Sequence, residues 1–230
     1  MKTSLILRQS RTILAKDLRR EWRTREILTT TVAFSVLLMA VFTFAFYRSG
    51  DATAEVFPGI LWISIVFSGT LAIGRSFQHE TASGCLRALA LIPGSQVSLY
   101  IGKLAANLIF MLLFELALIP LLLLAFSVDL GPTWALHLGS VLIGTLGFAT
   151  LGTLVSAMLV KNDLREVLLP VLLYPLLIPL LIAGVKISAA LLAGQDWPQV
   201  QGWVKAMIAM DLAYGVLCVL LFRFVLAAVE

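Results

Sequence analysis

The chain has 230 residues, of which 60% are hydrophobic and 13% charged, with a formal net charge of +4. Soluble domains carry roughly 25% charged residues, and a mean hydropathy of +0.99 leaves too little polar side chain to cover a water-facing surface. A soluble globular enzyme is therefore excluded. The apolar residues fall in long blocks, and a bilayer core of ~30 Å takes about 20 helical residues at ~1.5 Å rise each.

Residues 1–26 carry Lys2, Arg8, Arg11, Lys16, Arg19, Arg20, Arg23 and Arg25 ahead of any such block. No small-residue cleavage site follows promptly, so the first apolar block, rather than a removable signal peptide, is expected to direct insertion. Leu7, Leu14, Leu18 and Trp22 share one helical face, and Arg11, Lys16, Arg19, Arg20 and Arg23 take much of the rest. This pattern predicts an N-terminal amphipathic helix in the membrane interface, with leucines toward the acyl chains and cations toward anionic headgroups. A disordered basic tail is the alternative.

Six spans are predicted over about 27–47, 56–74, 97–128, 134–160, 164–186 and 206–227, making 27–230 a single membrane domain. The fold class is thus an all-α polytopic membrane protein. With six spans, the cations of the tail, Arg75, Arg87, Lys103, Lys161, Arg165 and Arg223 share one side of the membrane, against Arg48, Lys186 and Lys205 on the other. The positive-inside rule then places both termini in the cytoplasm. Because that rule accounts for the basic excess, no nucleic-acid partner is expected.

Between the second and third spans runs the polar segment RSFQHETASGCLRALALIPGSQ, residues 75–96. Phe77, Cys85, Leu89 and Ile92 share a helical face, with His79, Ser83 and Arg87 on another, and Pro93-Gly94 end the pattern. A helix over 76–92 is too short to span. It lies on the membrane, enters a groove on a partner, or is a surface helix without one.

Glu115 interrupts the third span near its middle. A carboxylate at that depth is costly and is expected to face the bundle interior or a water-filled cavity, as a proton or substrate contact or as a polar tie between helices or protomers. The fourth span carries the small-residue pairs Ser140/Gly144 and Gly152/Ser156, which permit close helix approach. Pro170, Pro175 and Pro179 in the fifth remove backbone donors and predict a kinked span, a feature of transporter pathways and of other membrane helices alike.

Motifs of catalysis are missing from the sequence. Gly94 and Gly102-Lys103 are separated by seven residues rather than the four of a phosphate-binding loop, and Leu104 stands where a Ser/Thr would hold magnesium. No HExxH, GxSxG or clustered Cys/His spacing occurs, and Cys85 and Cys218 have no paired spacing. His79 and His137 are assigned to opposite sides, so they do not jointly ligate a metal or haem. Trp134, Trp197 and Trp203 fall on the outer side, as an aromatic belt or as a haem-handling surface. The chain is read as non-catalytic, binding no cofactor of its own.

Three segments carry a family resemblance: FPGILWISIVFSGTLAIGRSFQHE (57–80), ETASGCLRALALIPGSQVSLYIGKLAANLIF (80–110) and LPVLLYPLLIPLLI (169–182). In order and spacing they resemble the haem exporter protein B family, the membrane permease of the ABC transporter used in cytochrome c maturation. The resemblance implies an ABC-exporter permease in the bacterial inner membrane. It also implies a second copy of the chain and a cytosolic ATPase subunit of the haem exporter protein A type, which binds the ATP. Residues 76–92 then become a coupling helix for that ATPase, with Phe77, Glu80, Gly84, Leu86, Leu89 and Pro93 as the matching positions and Lys103 just beyond. Haem-handling membrane proteins C and D and the haem chaperone E are the further implied partners, with haem handled by the complex. Two functions remain open under it, haem export and ATP-driven release of haem-loaded chaperone. The rival readings are an ABC permease for a drug, lipid or polysaccharide, a non-transporting scaffold, and an intramembrane enzyme.

Overall fold

A computed structural model of the chain describes residues 2–46, 51–77 and 95–229. They form helices α1 (Lys2–Thr24), α2 (Glu26–Phe46), α3 (Asp51–Arg75), α4 (Ser95–Phe126), α5 (Trp134–Met158), α6 (Arg165–Leu192) and α7 (Trp197–Val229), with a short 3-10 turn at Gly131–Thr133 before α5. Among the described residues there is no strand. Six helices, α2 to α7, are long and apolar enough to cross a membrane, so the all-α polytopic architecture expected from the sequence is observed. The last helix starts at Trp197, ahead of the 206–227 segment, because Pro198 in its first turn lies where no intrahelical N–H is needed.

The turn between α1 and α2 is one residue long. Arg25 adopts a left-handed φ of 53°, which redirects the chain between the two helices at a cost of roughly 1–2 kcal/mol. Buried Glu21 spans that turn, its Oε1 accepting the Leu28 N–H at 2.9 Å. A carboxylate thereby satisfies an orphan donor at the N-terminus of α2, where the helix dipole favours negative charge.

Helix α5 is the axis of the bundle, packed against α3, α4, α6 and α7, while α2 rests on α3 and α4. The small residues of α5 explain how. An added Cβ at Gly144, or at Gly184 of α6, would overlap the indole of Trp62 from α3, and one at Gly152 would meet Ile73. These small positions are sockets for large side chains as well as points of backbone approach. The Trp62 Nε1–H donates to Ser188 Oγ at 3.0 Å, so the ring is both seated and satisfied.

Lipid supplies no hydrophobic drive between spans, so packing and interhelical hydrogen bonds hold them. Ser35 and Ser68 hydroxyls meet at 2.8 Å, Tyr100 donates to Thr150 O at 3.1 Å, Asn107 donates to Thr153 Oγ1 at 2.9 Å, and Ser156 donates to Ile73 O at 3.2 Å. Outward positions such as Leu37, Val41 and Phe44 of α2 and Leu212, Val216 and Leu220 of α7 are exposed and apolar. That surface would be a liability in water and suits acyl chains.

Helix α6 runs without interruption through Pro170, Pro175 and Pro179. Pro170 is half-buried, and the other two face outward. Between them the Tyr214 hydroxyl of α7 donates to Leu176 O at 2.9 Å, a further interhelical tie of the kind that holds spans together in lipid.

Candidate functional site at the base of the polar loop

Helix α3 ends at Arg75, residues 76 and 77 make a turn, and α4 begins at Ser95. Glu80, Gly84, Leu86, Leu89 and Pro93 lie outside the described residues, as do His79 and Cys85. What the structure describes is the base from which this loop projects, and Phe77 belongs to it, fully buried.

Lys103, about two turns into α4, is the centre of that base. Only 1% exposed, its ammonium reaches Asp17 Oδ2 of α1 at 2.9 Å. It also donates to Ser76 O at 2.8 Å and lies 5.0 Å from the Phe77 ring centroid. Taking such a charge out of water costs several kcal/mol. A carboxylate, a carbonyl and an aromatic face together supply the compensation that burial demands. The sequence had placed Lys103 among the cations of the membrane surface. In the folded chain it is instead an internal tie joining α1, the start of the loop and α4.

Helix α1 is drawn onto α4 by two further contacts. Ser10 Oγ donates to Ser98 O at 3.0 Å, and Ser98 Oγ donates to Gln9 Oε1 at 2.8 Å. An added Cβ at Gly102 would lie 2.9 Å from Ile13 Cβ, so glycine is what lets the helices approach so closely. The face of α1 that packs on the bundle is thus Ser10, Ile13, Asp17 and Glu21, all buried. It differs from the leucine stripe of the sequence pattern. Leu7 and Trp22 remain 62% and 78% exposed, and the exposed cations Arg8, Lys16, Arg19 and Arg23 take the remaining side. With Asp17 and Glu21 turned inward, α1 has three faces, polar toward protein, apolar, and cationic.

The other residues singled out by sequence sit away from this base. Glu115 is buried, with Oε1 accepting from Thr145 Oγ1 of α5 at 2.7 Å. Its Oε2 has no partner among the described residues. It borders an outward groove between α4 and α5 flanked by Leu112, Leu116 and Leu142. It ties two helices, as one of its expected roles requires, and it does not meet Lys103. Asp211 of α7 lies against Gly147 of α5, and neither of its carboxylate oxygens has a partner among the described residues. His137, one turn from the start of α5, is buried, its Nδ1 at 3.1 Å from Thr133 O. Trp134, Trp197 and Trp203 are exposed together at the ends of α5 and α7. Among the described residues no three His, Cys, Asp or Glu side chains converge on a metal-sized site.

Sequence reasoning missed Asp17. One signal was available, an acidic residue four positions from buried Ile13 on a helix otherwise rich in cations, but the partner lies 86 positions away at Lys103.

Comparison with known proteins gives one consistent answer. The family described as CcmB protein matches residues 8–229. The chain is 28% identical over 182 residues to Heme exporter protein B of Rhodobacter capsulatus, covering 77% of this chain and 81% of the relative. It is 26% identical over 200 residues to Heme exporter protein B of Pseudomonas aeruginosa, covering 87% and 89%. The Haemophilus influenzae protein of the same name is 26% identical over 186 residues, covering 81% and 83%.

Proposed function

The chain belongs to the CcmB protein family, and from that premise we propose that its helices convert ATP hydrolysis by a separate cytosolic subunit into work on haem or a haem-loaded chaperone. Membership makes it a multi-pass membrane subunit of the heme exporter type.

The observation that carries it is the buried tie at the base of the polar loop. A partner ATPase of the haem exporter protein A type grips residues 76–92 from the cytoplasm, through Glu80, Gly84, Leu86, Leu89 and Pro93, while Phe77, fully buried, belongs to the base that receives the movement. Movement of that loop passes through Ser76 and Phe77 to Lys103. It reaches α1 through Asp17 and α4 directly. A loop anchored to one helix would swing freely. One anchored to two helices and a buried charge pair transmits force, because packed interfaces shift between discrete arrangements rather than deform continuously. Both termini lie in the cytoplasm, a second copy completes the permease, and membrane proteins C and D with haem chaperone E act on the outer side of the inner membrane. Release of haem-loaded chaperone is the reading preferred over passage of haem through this chain.

The test is deletion of the gene with haem staining of c-type cytochromes and measurement of haem-loaded chaperone. Loss of the cytochromes with loaded chaperone trapped on the complex supports release. Loss with chaperone left haem-free supports export. Normal cytochromes would remove both and favour another substrate. Complementation with Leu89→Glu separates a coupling helix from a scaffold, because a scaffold keeps its cytochromes when ATPase binding to the loop is lost.

A further inference from the structure

Four helix ends frame a crevice of about 580 Å³ at the same end of the bundle as the loop base. At its rim stand Glu26, the first residue of α2, Arg75, the last of α3, and Arg165 and Glu166, the first of α6. Arg75 Nη1 is paired with Glu26 Oε1 at 3.2 Å. Deeper in, the walls are Phe34, Phe67, Leu71, Leu169 and Tyr174. Phe67 and Tyr174 meet edge-on with centroids 5.8 Å apart. Pro170 also lines the crevice and has no N–H, so the Glu166 carbonyl at the rim lacks its usual helical donor.

A cavity of this size, apolar within and bearing a few convergent polar groups, has the form of a small-ligand site. Its polarity is graded along the helix axes, charged where the spans end and aromatic toward their middle, so the fitting ligand is an amphiphile with its head at the membrane surface. The head has a definite chemistry. Two guanidinium groups match a phosphate, while two carboxylates and a spare carbonyl match an ammonium with N–H to donate. Equal numbers of each sign leave no net charge to favour an anionic head. A helix of a second copy would have to bury four charged side chains, at several kcal/mol each.

We propose that this crevice holds a phospholipid with a zwitterionic primary-amine headgroup of the phosphatidylethanolamine class. Arg165 and Arg75 contact its phosphate, Glu166 receives its ammonium, and one acyl chain lies along Phe67 and Tyr174. The site requires only that these helices cross a bilayer, and it is independent of the ATPase coupling proposed above.

Native mass spectrometry of the delipidated full-length chain tests this, with phosphatidylethanolamine, phosphatidylcholine and phosphatidylglycerol of identical acyl chains. The ethanolamine lipid should bind about tenfold more tightly than the choline lipid, the equivalent of one hydrogen bond to a charged group. Glu166→Gln should erase that preference. Arg165→Gln should weaken both zwitterionic lipids alike, and Arg165→Lys should restore part of the affinity. Equal binding of ethanolamine and choline lipids by the unaltered chain would overturn the proposal whatever the variants do. So would tighter binding of the glycerol lipid, displacement of bound lipid by a porphyrin, or a Phe67→Cys disulfide between two copies that expels it.

Discussion

Replacing Lys103 by Met keeps the length of the side chain and removes only its ammonium. In the folded protein the partners of that ammonium include the Asp17 carboxylate at 2.9 Å, the Ser76 carbonyl at 2.8 Å and the Phe77 ring at 5.0 Å. Its loss leaves Asp17, 8% exposed, with Lys16 Nζ at 3.3 Å from its other oxygen. Lys16 is half-exposed and holds the carboxylate through water-screened contact, so it offsets a minor share. Breaking a buried pair by removing one member costs about 3–5 kcal/mol, and the methionine should fall near 3 kcal/mol with Lys16 still present. Asp17→Asn alone should cost a similar amount, because it leaves the ammonium buried without its counter-charge. The double variant should be much less destabilised than the sum, with a coupling energy of at least about 1 kcal/mol. Unfolding of the full-length chain in detergent, followed by tryptophan fluorescence, measures the cycle. Protease cleavage within α1 gives a second readout, since release from α4 exposes it. Additive effects, or singles within about 0.5 kcal/mol of the unaltered protein, would refute the idea that Lys103 holds α1 to the loop base.

The packing sets further outcomes. Gly102→Ala places a methyl at 2.9 Å from Ile13 Cβ and 3.0 Å from the Ser10 carbonyl, and should cost about 1–3 kcal/mol by overpacking, with faster proteolysis of α1 than of any span. Gly184→Ala drives a methyl into the Trp62 indole and should lower the unfolding midpoint by a comparable amount. Trp62→Phe, which loses the bond to Ser188, should cost more than the roughly 1 kcal/mol of that bond alone. Glu115→Gln keeps an acceptor for the Thr145 hydroxyl and should preserve both stability and cytochrome assembly if a hydrogen bond is all that the site supplies. Unchanged assembly with Glu115→Leu would remove the residue from the working mechanism.

The number of spans was legible because it depends on a local property. A run of about 20 apolar residues crosses a bilayer whatever its neighbours are, and the residues of α2, α3, α4 and α5 lie close to the expected spans. The amphipathic character of α1 was legible for the same reason. Which of its faces docks was not, since the leucine stripe is the obvious apolar choice and the docking face contains Ser10, Asp17 and Glu21. A buried face that polar is stable only because its partners are present in three dimensions.

Lys103 makes the same point from the other direction. On a linear chain it is one more cation on the side that the positive-inside rule fills, and nothing near it in sequence marks it as internal. Its burial depends on α1, α3 and α4 converging, and pairing over such distances leaves no periodic trace. The rim of Arg75, Arg165, Glu26 and Glu166 is alike in this respect, assembled from helix ends far apart in the chain, and so is the mid-helix approach of Asp211 to Gly147. Hydropathy sets how often the polypeptide crosses lipid, whereas the packing of those crossings sets which charges are hidden, which are paired and which line a crevice.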